Sequence, residues 1–233
     1  MYDRLAASAL DWWSEAGVDT FVEDSPRDWL APIVATPTVA PPAPEAPAPA
    51  PAAPLATDLP AFRAMLLADA TIPGRTSARI DAGGDPASGT MVIIDMPEPA
   101  DRAEGRLLGG EVGALFDKMI AAMGLARDTI YLAPLSPARP TSGRLPPEML
   151  DQFARLMRHH ITLVKPRRLL LMGDAPVRAL LDLSAQDARG RTHALSTDAG
   201  EIPAIATFHP RGLLRTPAQK AAAWADLKLF MAL

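Results

Sequence analysis

Four short apolar runs, separated by amphipathic stretches, constrain this chain more than any other feature. They are MVIID (91–95), TIYLA (129–133), RLLLM (168–172) and PAIATF (203–208), and each reads as a strand. Between the first two, residues 110–123 place Val112, Leu115, Phe116, Met119, Ile120 and Met123 on one helical face. Residues 147–164 read as a long helix opening with Pro147 and Glu148, a favourable first turn. Residues 175–183 read as a short helix with Asp174 as its cap. The last helix opens at Thr216-Pro217-Ala218-Gln219, a capping-box sequence with proline at its first position, and runs through the C-terminus. Continuous apolar strands alternating with amphipathic helices imply an α/β fold, a mostly parallel sheet covered on both faces. In open sheets of this kind ligands bind beyond the carboxyl ends of the strands. The loops after Asp95, Ala133, Met172 and Phe208 therefore form the functional edge.

Proline shows where the chain divides. Eight of its 25 prolines fall in residues 37–54, interleaved with alanine. Such a run lacks the backbone donors for helix or sheet and favours extended polyproline II. At about 3.1 Å per residue it spans roughly 50–60 Å. Three parts follow: an acidic amphipathic docking segment (1–35), a Pro/Ala-rich linker (36–57) and a folded domain (58–233). Leu5, Ala9, Leu10, Trp13 and Ala16 recur at helical spacing, and Trp29 again sets an aromatic ring among carboxylates. Residues 1–57 hold two basic and eight acidic side chains, so the overall charge of −4 leaves the domain at +2. An acidic arm on a basic domain reads as a mimic of nucleic acid, as a partner-binding element, or as solvated surface charge.

Several classes of function drop out early. The chain has no cysteine, which excludes disulfides, thiolate zinc sites, iron–sulfur clusters and cysteine nucleophiles. The first 17 residues lack a basic flank followed by an apolar run, and no stretch approaches the roughly 20 apolar residues of a membrane span. A soluble, cytoplasmic protein is the default. His159 and His160 are adjacent on a helix and cannot share a face, so they read as surface residues and not as a metal pair. Gly109, Gly110 and Gly113 have the wrong spacing for a dinucleotide fingerprint.

The most informative loop follows the fourth strand: Phe208-His209-Pro210-Arg211-Gly212-Leu213-Leu214-Arg215-Thr216. A histidine at a strand's carboxyl end, a glycine and two arginines precede a helix start whose N–H groups suit phosphate. Leu213 and Leu214 either wedge into a base stack or fold back into the core. Near the C-terminus, Asp226-Leu227-Lys228-Leu229-Phe230 is similar to the short peptides by which bacterial proteins bind the sliding clamp, but it continues an amphipathic helix.

The stretch HPRGLLRTPAQKAAAWADL (209–227) resembles the C-terminal motif of family-4 uracil-DNA glycosylases, His-Pro-Ser-x-Leu-Leu-Arg before a closing helix. The likeness extends backward through GRLLGGEVGALFDKMIAAMGLARDTIYLAPLSPARP (105–140) to MVIIDMPEP (91–99), where that family carries Gly-Glu-x-Pro-Gly. It implies a three-layer α/β/α sandwich on a four-stranded parallel sheet. It also assigns Asp95 and His209 as the catalytic pair, with Pro97, Leu108 and Pro134 at positions that bind the base. Arg139, Arg211, Gly212, Leu213, Leu214, Arg215 and Thr216 fall where DNA is met. The departures are as informative. Ile94 and Glu98 replace the two motif glycines, Leu108 the stacking phenylalanine, Pro134 the base-reading asparagine, and Arg211 the motif serine. All four cluster cysteines are missing, one of them at Ala138, so no cofactor is expected.

The expected function is a uracil-DNA glycosylase-fold protein of DNA repair or replication that binds DNA with weak or lost base excision. Two alternatives stand beside it. One is an active glycosylase for uracil or another damaged base, using Asp95 and His209. The other is a non-catalytic subunit that meets a repair or replication protein through residues 1–35 or the C-terminal helix.

Overall fold

The computed structural model describes residues 55–233 apart from 198 and 199. The segment 1–35 and all but the last residues of the linker lie outside the described residues. In chain order the elements are α1 (Leu59–Ala68), β1 (Gly83–Gly84), β2 (Thr90–Ile94), α2 (Asp101–Glu104), α3 (Gly110–Ala122), β3 (Tyr131–Pro134), α4 (Leu150–Val164), β4 (Arg168–Met172), α5 (Asp174–Leu181), α6 (Ala185–Ala188), β5 (Thr192–Thr197), β6 (Gly200–Thr207), α7 (Pro210–Arg215) and α8 (Lys220–Met231). The sheet order is β1-β3-β2-β4-β6-β5. Its centre, β3-β2-β4-β6, is parallel throughout.

Alternation along the central strands builds two cores. Met91 and Ile93 of β2 join Tyr131, Leu169 and Leu171 on one face, covered by Phe153 and Met157 of α4 and Val177 of α5. Val92 and Ile94 join Leu132, Leu170 and Ile205 on the other, covered by Phe116 of α3, Leu213 of α7 and Phe230 of α8. All five β2 residues are buried, which is why the strand is apolar without interruption from Met91 to Ile94.

The four-stranded sheet of the sequence reading is enlarged to six by two antiparallel edges. β1 pairs with β3 through Gly83 and Gly84, which carry no side chains to signal a strand. β5 pairs with β6 along its length, and its sequence THALST buries only Leu195. The capping box expected at Thr216 does not form: its side chain makes no cap hydrogen bond, and a 3-10 turn over Pro217–Gln219 leads into α8. Asp174 is the first residue of α5, not its cap, because Gly173 holds that place with φ of +98°.

Of the two histidines expected at the surface, His159 is half-buried and His160 is buried. His160 is 2% exposed, and its Nε2 lies 2.9 Å from the Tyr131 hydroxyl. The Phe62 ring of α1 packs edge-on against both histidines. The Asp226–Phe230 stretch is core: Asp226, Leu227 and Phe230 are each at most 2% exposed. Asp226 Oδ2 accepts from Arg189 Nε at 2.6 Å and from the Thr207 hydroxyl at 3.0 Å, tying α8 to β6. Among the described residues no helix is long and apolar enough to cross a membrane.

Candidate active site

The carboxyl ends of β2 and β6 bring together residues that lie more than a hundred positions apart. Asp95 follows β2 directly and is 8% exposed. Its Oδ1 accepts from the Met96 N–H at 2.8 Å, which turns the chain sharply into the Pro97-Glu98 loop. His209, one residue beyond Phe208 at the end of β6, caps α7: its Nδ1 accepts from the Arg211 N–H at 3.1 Å. That bond places the ring proton on Nε2, which sits 3.4 Å from Asp95 Oδ1 and has no hydrogen-bond partner among the described residues. Burial lowers the His209 pKa to about 4 against the opposing pull of Asp95, so the ring is neutral at pH 7. Gly173 lets the chain end of β4 close on this ring, since a Cβ there would stand 3.3 Å from His209 Cβ.

Arg211 closes the constellation. One guanidinium nitrogen meets Asp95 Oδ2 and another meets Glu98 Oε1, both at 2.5 Å. Burial pushes the Glu98 pKa up, while Arg211 and Arg139 hold it down. Arg139 donates to the Pro97 carbonyl at 3.2 Å and stands 3.8 Å from Glu98 Oε2. Burial also works against the charge on Arg211, and the two carboxylates overcome it and raise its pKa. Two like-charged carboxylates and two guanidiniums thus form one interlocked cluster.

A third carboxylate shapes the loop that follows. Asp101 is fully buried and accepts from three backbone N–H groups: Glu98 at 2.8 Å, Leu108 at 3.0 Å and Gly109 at 2.6 Å. From outside, Arg127 donates to the Leu107 and Leu108 carbonyls at 2.6 and 2.7 Å. Held from both sides, Leu108 adopts φ of +53° and is fully buried. The Leu108 carbonyl lies where a Cβ at Gly113 would sit, 1.8 Å away, so α3 requires glycine there. No motif flags Asp101 or Arg127, because their partners are main-chain atoms and any sequence supplies those.

The sequence-derived base-binding positions therefore do not line an opening. Leu108 is fully buried, and Pro97 and Pro134 are buried. The cleft that opens on Asp95 and His209 has a volume of about 480 Å³, and its walls include Met96, Arg144, Leu145, Gly173, Arg211 and Arg215. Of the DNA-facing candidates, Arg215 and Thr216 are exposed, and Gly212 and Leu214 are half-buried. Leu213 is 1% exposed and packs in the core, because the α7 turn directs it at the sheet while Leu214 points away. A base wedge by both leucines is thereby ruled out; only Leu214 has a free face. Arg144 and Arg178, which the sequence reading passed over as site residues, line the cleft.

The donor set does not fit an iron–sulfur cluster, since the chain offers no thiolate. At the position of one missing cysteine, Ala138 is 1% exposed and packs with Ile72 and Leu135. The α1 connection is held instead by Arg79, whose guanidinium donates to the Leu66, Leu67, Asp69 and Ile72 carbonyls.

Comparison with known proteins places the chain in a family. The profile of the uracil DNA glycosylase superfamily matches residues 82–228. The type-4 uracil-DNA glycosylase of Pyrobaculum aerophilum is 24% identical over 154 residues, covering 63% of this chain and 79% of that protein. That of Archaeoglobus fulgidus is 20% identical over 152 residues, covering 62% and 76%. That of Sulfurisphaera tokodaii is 24% identical over 151 residues, covering 61% and 68%. With its α/β layers, its His209 loop and a profile match across most of the folded domain, the chain belongs to the uracil DNA glycosylase superfamily.

Proposed function

We propose that this protein is a cytoplasmic, DNA-binding member of its superfamily in which base excision is weak or lost, acting in DNA repair or replication. The observation that carries the reading is the Arg211 bridge between Asp95 and Glu98. Glycosidic cleavage needs an extruded base held by stacking and edge hydrogen bonds, a donor for the departing base, and a carboxylate free to position water. Asp95 has Oδ2 occupied by Arg211 and Oδ1 by the Met96 N–H. Leu108 and Pro134 supply neither an aromatic platform nor an amide, and both are buried. His209 alone keeps a usable donor, its Nε2–H. A site that has lost its edge-reading hydrogen bonds forfeits selectivity by orders of magnitude.

DNA contact is supported by Arg215 and Thr216, both exposed at the end of α7, in a domain of net positive charge. Because phosphate contacts dominate such affinity, binding falls steeply with salt. On this reading residues 58–233 are the DNA-binding domain, and the acidic segment 1–35, on its linker, is the arm that meets a repair or replication protein.

The test is a single-turnover incubation, protein in excess, with a single-stranded oligonucleotide carrying one uracil, scored by alkaline cleavage beside a binding measurement. The expected result is salt-sensitive binding with little or no cleavage. Cleavage that Asp95→Ala and His209→Ala both abolish would establish the active glycosylase instead. Absence of DNA binding would leave the non-catalytic interaction subunit.

A further inference from the structure

Four arginines, Arg144, Arg178, Arg211 and Arg215, line the 480 Å³ cleft beside His209. Two are neutralised within the fold: Arg178 pairs with Asp174 and Arg211 with Asp95, the two carboxylates of the same walls. Glu98, behind Arg211, has Arg139 as its second counter-ion. Arg144 and Arg215 are exposed and make no ion pair among the described residues. The cleft therefore keeps an excess of two positive charges. His209, 6% exposed, lies in the same wall, and its Nε2 donor has no hydrogen-bond partner among the described residues. The rest of the lining is apolar, with Met96, Leu145, Pro147 and Leu150, or glycine, with Gly143, Gly173 and Gly212.

We infer that this cleft seats a nucleotide bearing a phosphate monoester, either the 5′-terminal phosphate of a DNA strand or a free deoxynucleoside monophosphate. An internal phosphodiester carries one negative charge. A terminal monoester carries close to two at neutral pH, which is the excess the cleft holds. Two unpaired guanidiniums offer the forked donors that phosphate oxygens take best. The apolar lining suits a sugar and base, and the volume lies within the usual range of small-molecule ligand sites. Glycines at three points of the wall permit close approach of main chain to ligand. For the strand-end case the inference rests on the DNA-binding reading; for the free nucleotide it does not.

The experiment compares two single strands of identical sequence, labelled with fluorescein at the 3′ end and carrying either a 5′-phosphate or a 5′-hydroxyl, by anisotropy with the full chain. Deoxythymidine 5′-monophosphate and inorganic phosphate are titrated separately by calorimetry. The expected result is binding at least tenfold tighter for the 5′-phosphate strand, with the preference falling below twofold in Arg144→Gln and in Arg215→Gln. Both substitutions are at exposed positions, so an unchanged melting temperature certifies that the fold is intact. Equal affinity for both ends, with no heat from the monophosphate, overturns the inference and leaves the DNA-binding reading standing. Binding of the monophosphate with neither strand bound supports the site, identifies the free nucleotide, and removes the DNA-binding reading. Inorganic phosphate binding as tightly as the monophosphate overturns the nucleotide assignment.

Discussion

Arg211 and Glu98 stand 113 positions apart in the chain and meet at 2.5 Å at the carboxyl edge of the sheet. Where the motif that this chain resembles has serine and glycine, the fold here holds an ion pair at the edge of its core. Glu98 is 5% exposed, and breaking a buried pair from one side costs about 3–5 kcal/mol. Arg211→Ser is expected to destabilise by that order, because Asp95 and Glu98 would then face each other without their guanidinium. Glu98→Gln combined with Arg211→Ser is expected to recover part of the loss. Urea denaturation of the two single variants and the double variant checks this. Strictly additive effects would show that the two residues are not coupled.

Much of the architecture was legible in the sequence, and for a physical reason. The central strands are apolar on both faces, so MVIID and RLLLM announce themselves, and RLLLM matches β4 residue for residue. Edges carry less signal: Gly83-Gly84 has no side chains to read, and THALST is mostly exposed. Asp95, His209 and Arg211 were singled out because they terminate apolar strands or sit in a motif. The bridge between them was not visible, because a pairing across more than a hundred residues leaves no local pattern. His160 was misplaced for a related reason. Its neighbours Arg158 and His159 make the stretch look polar, whereas its own position faces Tyr131 and Phe62.

Asp101 organises the loop from Glu98 to Gly109 by accepting three main-chain N–H groups with one carboxylate. An amide in its place turns one acceptor into a donor aimed at buried N–H groups. Asp101→Asn is expected to cost about 2–3 kcal/mol and to accelerate amide exchange at Leu108 and Gly109. Hydrogen exchange measured by NMR reads both amides. Unchanged protection at these two sites would mean that the loop is held by Arg127 and its own packing.

Leu108→Phe restores the residue type that the family uses to stack on an extruded base, yet the geometry gives it nothing to stack on. The side chain is fully buried, and the main chain is already in the left-handed region. The extra volume must be accommodated in a filled core, at a cost of about 1–3 kcal/mol. The expected outcome is a lower melting temperature with no gain in uracil excision under single turnover. A gain in excision would mean that the loop opens far enough to expose this position to DNA.

Two buried histidines, His160 and His209, are both held near a pKa of about 4, in each case chiefly by burial. They enter the fold neutral, whereas in the unfolded chain they take up protons below about pH 6.5. Between pH 6.5 and 4 the unfolded state therefore binds more protons, and stability rises with pH. The contribution is complete above pH 6.5 and is lost as the pH falls towards 4, at about 2 kcal/mol per histidine between pH 7.5 and 5. Glu98, raised by burial, acts in the opposite sense at the acidic end and offsets part of the loss. His160 is the cleaner probe, since it lies between Phe62 and Tyr131 and away from the carboxylates of the cleft. The charges that bear on it are Arg63 and Asp81, which pair with each other at 2.7 Å, and the adjacent His159. His160→Gln keeps a group able to bond the Tyr131 hydroxyl and removes the titration. Its urea midpoint is expected to fall less steeply than that of the parent chain between pH 7.5 and 5. Parallel curves for the two proteins would mean that His160 binds protons equally in the folded and unfolded chain and contributes nothing to the acid sensitivity of the domain.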